Sequence, residues 1–305
     1  MNVVKQMEQN YQPISCKSAL NHINSKFLPY HWDLNIYRGC EHQCAYCYAQ
    51  YSHSYLEDTD FFHHIYIKEN IVTQLEQKLQ SSKWAHDVIN LGGVTDSYQP
   101  AEAIYKLMPQ ILKLLIKYKT PAIISTKSSL ILRDIDLLKE LSNVAGVQVA
   151  ITITTLDQSL ANKIEPGASS IKERINTIYE LKKAGLTVGW HLMPMIPYLT
   201  ATRNNLTAIF KIAQMCQIDY IIPGILNLRG STRINFFRFM KNNYPNEYDR
   251  VWKLYNNKNE YKQYKHQLQE LISTLSKQYS VSRNYYRYVP KVKESKIKQI
   301  TFFDE

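Results

Sequence analysis

The sequence predicts an α/β protein, a partial (β/α)6 TIM-like barrel followed by a C-terminal helical appendage. Between Asp33 and Leu228, short β-rich runs alternate with amphipathic helical patterns. The β-rich runs are almost continuously apolar or β-branched, as expected for parallel strands that are buried on both faces. Beyond Arg229 the pattern becomes helical. Repeated β/α units of this kind form a parallel sheet that curls into a barrel.

The individual elements follow from local patterns. Between Ile104 and Ile116, apolar side chains recur at helical spacing on one face. A later helix is predicted to open at a capping box formed by Ser170 and Glu173 and to stop at Gly185. The runs predicted as strands are 33–37, 87–91, 121–126, 147–154, 186–193 and 220–227, and the appendage is predicted to contain helices at 232–244 and 260–279.

These patterns divide the chain into four predicted parts. Residues 1–30 form an N-terminal extension, 31–230 the barrel, 231–290 a helical segment packing on the barrel, and 291–305 a basic tail. The first residues are polar and lack the apolar core of a signal peptide. No apolar run approaches the ~20 residues needed to cross a bilayer. We therefore expect a cytoplasmic protein with no membrane contact.

Charge suggests a class of partner. The 305 residues carry a formal net charge of +11. A basic surface attracts polyanions through charge neutralisation and counterion release, so nucleic acid is the first partner to consider. The alternative is a lysine-rich surface that only contacts solvent.

The strongest chemical signal is a cysteine motif directly after the first predicted strand. Three of the five cysteines, Cys40, Cys44 and Cys47, lie within eight positions. Thiolates are the ligands of iron–sulfur clusters, and three of them leave one iron of a 4Fe–4S cluster open for a substrate or cofactor. The alternative is a structural zinc site, in which His42 would have to supply the fourth ligand. Cys16 and Cys216 are predicted to be free thiols in the core.

The C-x-x-x-C-x-x-C spacing resembles the radical S-adenosylmethionine (SAM) superfamily. That resemblance implies that SAM occupies the open iron and that one electron from the cluster cleaves it to a 5′-deoxyadenosyl radical. Further stretches resemble the DNA-repair-photolyase-like group of this superfamily, which is related to spore photoproduct lyase. They are residues 37–49, 92–100, 125–127 with 133–138, and 151–156 with 165–167.

The second strand end is a candidate contact for SAM. Gly92 and Gly93 lie there, and residues without side chains let a ligand approach the backbone closely. The resemblance implies that this strand end meets the SAM amino group, with Thr95 and Asp96 as oxygen acceptors. A plain β/α turn in which Asp96 acts as a cap is the alternative.

Further SAM contacts are expected at later strand ends. The resemblance implies that Lys127 contacts the SAM carboxylate or ribose. Thr152 and Thr154 share one face of the fourth strand and would either bind the ribose or line the barrel interior. Glu165 would accept from a ligand hydroxyl or begin the next helix. Tyr46, inside the cysteine motif, is included among the cofactor contacts.

One departure from the family concerns the hydrogen-atom donor. Spore photoproduct lyase has a cysteine at the position matching Gly93, and this cysteine returns a hydrogen atom to the substrate radical. The lyase tyrosines beside the last cluster cysteine are matched by Tyr46 and Tyr48, which are candidates for a radical relay. Without the thiol, photoproduct cleavage is not the expected reaction.

These observations predict a radical SAM enzyme that acts on nucleic acid, with DNA favoured. RNA, a peptide or a small molecule is the alternative substrate, and a zinc-stabilised nucleic-acid-binding module is the non-enzyme alternative. A flavodoxin or ferredoxin is expected as the reductant. The C-terminal peptide is similar to sequences that dock on the DNA sliding clamp, although a C-terminal strand packed on the barrel is also compatible. Its residues are Gln299, Ile300, Thr301, Phe302 and Phe303.

Overall fold

A computed structural model describes residues 11–56 and 58–290 of the chain. The strands are β1 (Tyr11–Ile14), β2 (Leu20–His22), β3 (Trp32–Leu34), β4 (Tyr37–Arg38), β5 (Ile65–Lys68), β6 (Ile89–Leu91), β7 (Ala122–Thr126), β8 (Val147–Thr152), β9 (Thr187–Met195) and β10 (Tyr220–Ile225). Seven of them form one sheet in the order β10-β9-β8-β7-β6-β3-β2. Its strands are parallel from β3 to β10, while β2 runs antiparallel to β3.

This sheet confirms the predicted α/β class and partial barrel. The predicted strands correspond to β3 and to β6 through β10, with ends that differ by at most three residues. The first predicted strand, 33–37, corresponds to two strands, because β3 belongs to the barrel sheet whereas β4 pairs with β5 in a separate sheet. In the described part of the chain the sheet keeps two edges, at β10 and β2, as a partial barrel requires.

The two faces of the barrel sheet differ in polarity. On β8, Val149 and Ile151 enter the main hydrophobic core beneath the helices. Because neighbouring side chains on a strand point to opposite faces, Gln148 points into the barrel. The parallel register aligns Asp33, Asn90 and Gln148 in one row on this inner face. The interior of the barrel is therefore partly polar, as a ligand-binding space requires.

Helices cover the outer face and extend beyond the barrel. They are α1 (Ile71–Leu79), α2 (Pro100–Tyr105), α3 (Leu107–Lys117), α4 (Ile135–Val144), α5 (Gln158–Ile164), α6 (Ile171–Lys183), α7 (Arg203–Met215), α8 (Gly230–Asn243), α9 (Pro245–Asn256) and α10 (Lys258–Gln278), with 3₁₀ segments at Tyr48–Leu56, Ser129–Asp134 and Tyr285–Tyr288. The capping box of Ser170 and Glu173 is confirmed at the start of α6. Gly185 follows the end of that helix with a φ of +80°.

The predicted helical pattern from Ile104 to Ile116 is wrong at its start. Lys106 adopts a φ of +49°, which separates α2 from α3. The buried carboxylate of Glu102 accepts from the backbone N–H groups of Leu107 and Met108, each at 3.0 Å, and so caps the new helix. Ile104 belongs to the earlier helix and is 50% exposed, so it is not part of the apolar face.

The appendage contains one more helix than expected. Between the two predicted helices, α9 begins at Pro245, which occupies its first turn. Phe236 and Met240 of α8 belong to an apolar cluster that also contains Cys44 and Tyr46. The appendage therefore packs against the cysteine loop and contributes to the position of the site.

The predicted ends of the chain are described only in part. The basic tail 291–305, including Gln299 and Phe303, lies outside the described residues, as do residues 1–10. Residues 11–30 of the predicted extension contribute β1 and β2, which pair with β5 and β3. None of the helices in the described ranges combines the length and the apolar character needed to span a membrane.

Candidate active site

The three motif cysteines line one cleft at the mouth of the barrel. Cys40 and Cys44 are buried and Cys47 is partly buried. The loop is tightly folded: the backbone N–H of Cys47 donates to the carbonyl of Cys44 at 3.0 Å. Burial raises the pKa of the Cys44 thiol to about 12, so this thiol stays neutral until a metal displaces its proton.

Gly39 permits the entry of the chain into this loop. It adopts a φ of +82°, and a Cβ there would lie 2.6 Å from the carbonyl oxygen of His64. A larger residue would therefore push the first cysteine away from β5, to which the preceding strand is paired. The glycine before Cys40 sets the position of the first thiol.

The segment that follows α5 holds the cysteine loop from the other side. The backbone N–H of Ala45 donates to the carbonyl of Ile164 at 2.9 Å, and that of Gly167 donates to the carbonyl of His42 at 3.2 Å. A Cβ at Gly167 would overlap the carbonyl oxygen of Glu41. The two segments meet backbone to backbone, and only glycine fits between them.

A buried ion pair fixes the same contact. Arg174 donates to Glu165 at 2.6 Å, and both side chains are almost fully buried. Arg174 also donates to the carbonyl of Thr152 at 2.9 Å, and the hydroxyl of Tyr46 donates to Glu165. Burial favours the neutral form of Glu165, but the charge of Arg174 outweighs it and lowers the pKa of this carboxyl. Glu165 therefore connects the cysteine loop to α6.

Asp96 lines the cleft and connects the ends of neighbouring strands. Its carboxylate accepts from the Thr126 hydroxyl at 2.7 Å and from the backbone N–H groups of Lys127 and Tyr98 at 2.9 Å each. His42 lies 3.2 Å away. Burial would raise the pKa of Asp96, but His42 and the hydrogen bonds hold it at about 2. The direct contact of Asp96 with SAM stays a prediction.

Thr95 has a similar position in the turn. Its hydroxyl donates to the carbonyl of Gly39 at 2.6 Å and accepts from Gln99 at 3.0 Å. Gly92 precedes it with a φ of +91°. The turn after β6 thus joins the cysteine loop through side chains, and its backbone faces the cleft.

The cleft brings together most of the predicted site. Besides the cysteines it is lined by Gly92, Gly93, Thr95, Asp96, Lys127, Thr152 and Tyr48. Tyr46, Glu165 and Thr154 are not among the residues that line the cleft. The hydroxyl of Tyr46 donates to Glu165, and the Thr154 hydroxyl lies 3.5 Å from Glu165. These three residues are placed to support the site, and their direct contact with SAM stays a prediction.

Lys127 is the basic residue of the cleft. Its ammonium lies 5.7 Å from the centroid of the Tyr46 ring. Burial lowers its pKa, but the coulombic influence of Cys44, which is negative only once its thiol ionises, and of the Glu165 carboxylate outweighs burial and raises it above the ordinary value. A permanently charged ammonium at a strand end suits an anionic group such as the carboxylate of SAM.

Two residues of the site were not found from the sequence. Arg174 is the fourth residue of α6. The sequence pattern predicted a helix there but no role for this arginine. His191 pairs in register with Thr152 on β9, and burial next to Lys127 lowers its pKa to about 4. Neither position carries a local motif, so only their neighbours in space reveal them.

The structure also shows what surrounds Gly93. A Cβ on Gly93 would overlap the carboxylate of Asp33, at 2.6 Å from Oδ1 and 2.7 Å from Cγ. The hydroxyl of Tyr48 donates to the carbonyl of Gly93. A cysteine at this position is therefore incompatible with the observed place of Asp33.

The other two cysteines lie outside the cleft. Cys16 and Cys216 are free thiols, partly buried against the main core. The Cys16 thiol lies 3.3 Å from Oδ1 of Asn70. Within residues 11–56 and 58–290, no three His, Cys, Asp or Glu side chains are close enough together to hold a single metal ion.

Comparison with known proteins identifies a family. A family model described as the Radical SAM superfamily matches residues 34–203. An uncharacterised protein of Mycobacterium tuberculosis is 34% identical over 250 residues, which cover 80% of this chain and 73% of the relative. An uncharacterised protein of Methanocaldococcus jannaschii is 29% identical over 244 residues, covering 80% of this chain and 85% of the relative.

A solved structure shares the fold. Spore photoproduct lyase with bound AdoMet and dinucleoside spore photoproduct superimposes with a TM-score of 0.59 at 13% sequence identity. The match covers 80% of this chain and 70% of the lyase chain. At this identity the likeness establishes the architecture of the chain.

Proposed function

The chain belongs to the radical SAM superfamily, and we propose that it uses radical chemistry to act on nucleic acid, with DNA favoured over RNA. The superfamily is enzymatic and uses a 4Fe–4S cluster with SAM. The zinc-stabilised binding module is therefore not the better interpretation of the cysteine motif.

The residues of the cleft fit the cofactors of the family. Cys40, Cys44 and Cys47 would hold three irons of the cluster and leave one for SAM. When bound, these cofactors supply a 5′-deoxyadenosyl radical that abstracts a hydrogen atom. Lys127 would bind the SAM carboxylate, and Thr152 would face the ribose. The side chains of this cleft would position these cofactors and supply the positive charge of Lys127.

The observation that carries the choice of substrate is a second cavity beside the cleft. Tyr48 and Gly93 line both spaces. Basic side chains line the second cavity, namely Lys17, Arg38 and Lys68. Together with the net charge of +11, they favour a polyanion that reaches the radical from this side. The lyase that shares the fold binds a dinucleoside photoproduct, which is consistent with such a substrate.

Cleavage of the photoproduct itself is not proposed. Asp33 occupies the space that a side chain at position 93 would need, so the lyase thiol has no equivalent there. Tyr48 faces the second cavity, whereas Tyr46 donates to Glu165 behind the loop. Of the two proposed relay tyrosines, Tyr48 has the better position to exchange a hydrogen atom with a substrate.

Anaerobic turnover tests the proposal. The protein would be reconstituted with iron and sulfide, reduced with dithionite, and assayed for 5′-deoxyadenosine with DNA, with RNA and without nucleic acid. We expect slow release without substrate and faster release with DNA. Faster release with RNA alone would make RNA the substrate. Release that neither nucleic acid accelerates would refute the nucleic-acid proposal and favour a peptide or a small molecule.

The proposed cellular setting follows from the chemistry. Cluster thiolates need a reducing compartment, so we place the protein in the cytoplasm, with a flavodoxin or ferredoxin as electron donor. A sliding clamp is the proposed partner of the tail motif that contains Gln299 and Phe303. Deletion of residues 299–305 would remove clamp binding and leave DNA affinity nearly unchanged. Unchanged clamp binding by the shortened chain would refute this partner.

A further inference from the structure

The second cavity has the dimensions of a ligand site. Its volume is about 830 Å³, within the range of roughly 300–1,000 Å³ that is typical of small-molecule pockets. It shares Tyr48, Gly93 and Val94 with the cleft of the cluster. A molecule bound here would therefore lie next to the place where the radical is generated.

One wall of this cavity carries a buried polar network. Oδ1 of Asp33 accepts from Asn90 at 2.7 Å, and Oδ2 accepts from Asn35 at 2.6 Å. The ammonium of Lys68 donates to the carbonyl of Asn35 at 2.6 Å. The backbone N–H of Gly93 also donates to this carboxylate. A carboxylate has about four acceptor positions and an ammonium three N–H groups, so Asp33 keeps one acceptor position and Lys68 keeps two donors. Asp33 and Lys68 both line the cavity, so the network offers it an acceptor and a donor.

The rim of the cavity is aromatic. Three tyrosines of the 3₁₀ segment Tyr48–Leu56 line the cavity and are substantially exposed: Tyr48 at 61%, Tyr51 at 49% and Tyr55 at 73%. Tyr51 and Tyr55 pack edge to face with centroids 6.4 Å apart. Exposed aromatic side chains beside a basic surface are the usual platform on which nucleic-acid bases stack.

The Asp33 carboxylate occupies the space that a side chain at position 93 would need. Because a Cβ on Gly93 would overlap the Asp33 carboxylate, the chain can have either this acceptor or a side chain there. The Asp33 carboxylate faces the same cavity as Gly93 and Tyr48. The network therefore belongs to the wall nearest the cluster.

We propose that this cavity takes one base extruded from a nucleic-acid strand, and that Asp33 selects bases carrying a ring N–H beside a carbonyl. This inference rests on the proposed function, since it names the part of the nucleic acid that enters. The ring N–H donates to Asp33 and the carbonyl accepts from Lys68. Thymine, uracil and guanine have this edge, whereas cytosine and adenine lack the ring N–H. Enzymes that modify a base commonly remove it from the stack in this way.

The phosphates would follow the rim. Lys17 and Arg38 line the cavity, and Arg38 also donates to the carbonyl of Ser52 at 3.2 Å. This contact holds the guanidinium close to the aromatic segment. Basic groups at the entrance position the strand without reading its sequence, so the choice of base depends on Asp33 and Lys68.

Binding of short single strands tests the selection. Fluorescence anisotropy would compare the affinity of the reconstituted protein for oligonucleotides of thymidine, of N3-methylthymidine and of deoxycytidine. The methyl group replaces the ring N–H and needs no change in the protein. We expect both substitutes to bind on the order of tenfold more weakly than thymidine, as for the loss of a hydrogen bond to a charged group.

Variants assign the selection to these residues. Asp33→Asn should reduce the preference for thymidine over N3-methylthymidine, while the exposed Asp136→Asn should keep it. Tyr55→Ala should weaken binding of all three strands, whereas Tyr179→Ala, at a tyrosine 56% exposed on α6, should not. Circular dichroism would verify that each variant is folded.

The outcomes separate the two proposals. If the protein binds strands but does not distinguish thymidine from N3-methylthymidine, the base-reading inference is overturned and the nucleic-acid proposal stands. If it binds no strand and no nucleic acid accelerates SAM cleavage, the proposed function fails first. A thymidine preference that survives in Asp33→Asn would also overturn the role of Asp33.

Discussion

Replacing Gly167 with alanine tests whether the segment after α5 sets the position of the cluster loop. The new Cβ would lie about 1 Å inside the 3.0 Å closest approach of a Cβ to other atoms, against the carbonyl oxygen of Glu41. Glu41 directly follows the first cluster cysteine, so relief of the overlap displaces that ligand. Functional constellations must be held within about 0.5 Å. We therefore expect Gly167→Ala to fold but to assemble much less cluster.

The assay is iron and sulfide per chain after anaerobic reconstitution, followed by release of 5′-deoxyadenosine. Overpacking of this kind costs about 1–3 kcal/mol, so thermal unfolding of the cluster-free protein should show a modest loss. Gly185→Ala is the matched control. Its φ of +80° makes alanine unfavourable, and no atom lies within 4 Å of the new Cβ, so it should cost about 1–2 kcal/mol.

The two variants differ in what they disturb. Gly185→Ala should lose stability and keep its iron, while Gly167→Ala should lose iron beyond what its stability explains. Parental iron content and parental SAM cleavage in Gly167→Ala would refute the argument that this backbone contact positions the cluster.

Three other predictions concern the same site. Cys44→Ala should abolish the cluster and SAM cleavage while Cys216→Ala keeps both, and full iron loading of Cys44→Ala would contradict the ligand assignment. Lys127→Met should weaken SAM binding by about tenfold or more in anaerobic equilibrium dialysis with iron content unchanged, and parental affinity would exclude the proposed contact. Arg174→Met should destabilise the protein by about 3–5 kcal/mol in urea unfolding because Glu165 loses its buried partner. The exposed Lys172→Met on the same helix should change stability by less than about 0.5 kcal/mol, and equal losses in the two variants would argue against the ion pair.

Patterns that are local in sequence were sufficient to predict the fold class and to propose the metal ligands. The parallel strands are readable because their apolar runs are continuous, and the start of α6 is readable because its capping box spans four positions. The cysteine motif is local for the same reason, since one loop supplies all three thiols. The prediction of one continuous helical pattern through Lys106 was wrong because a buried carboxylate, Glu102, caps a new helix there. The Glu102 carboxylate caps this helix only because the chain turns at Lys106, and the helical spacing of apolar residues does not reveal that turn.

Tertiary structure decided what the predicted site residues do. Asp96 and Thr95 line the cleft as expected, and the structure adds that their side chains hold the turn to β7 and to the cysteine loop. The pairing of Glu165 with Arg174, and the exclusion of a side chain at Gly93 by Asp33, likewise have no signature in either local sequence. The reason is physical: the hydrogen-bonding capacity of a side chain is intrinsic to it, but its partners are set by the packing of distant segments.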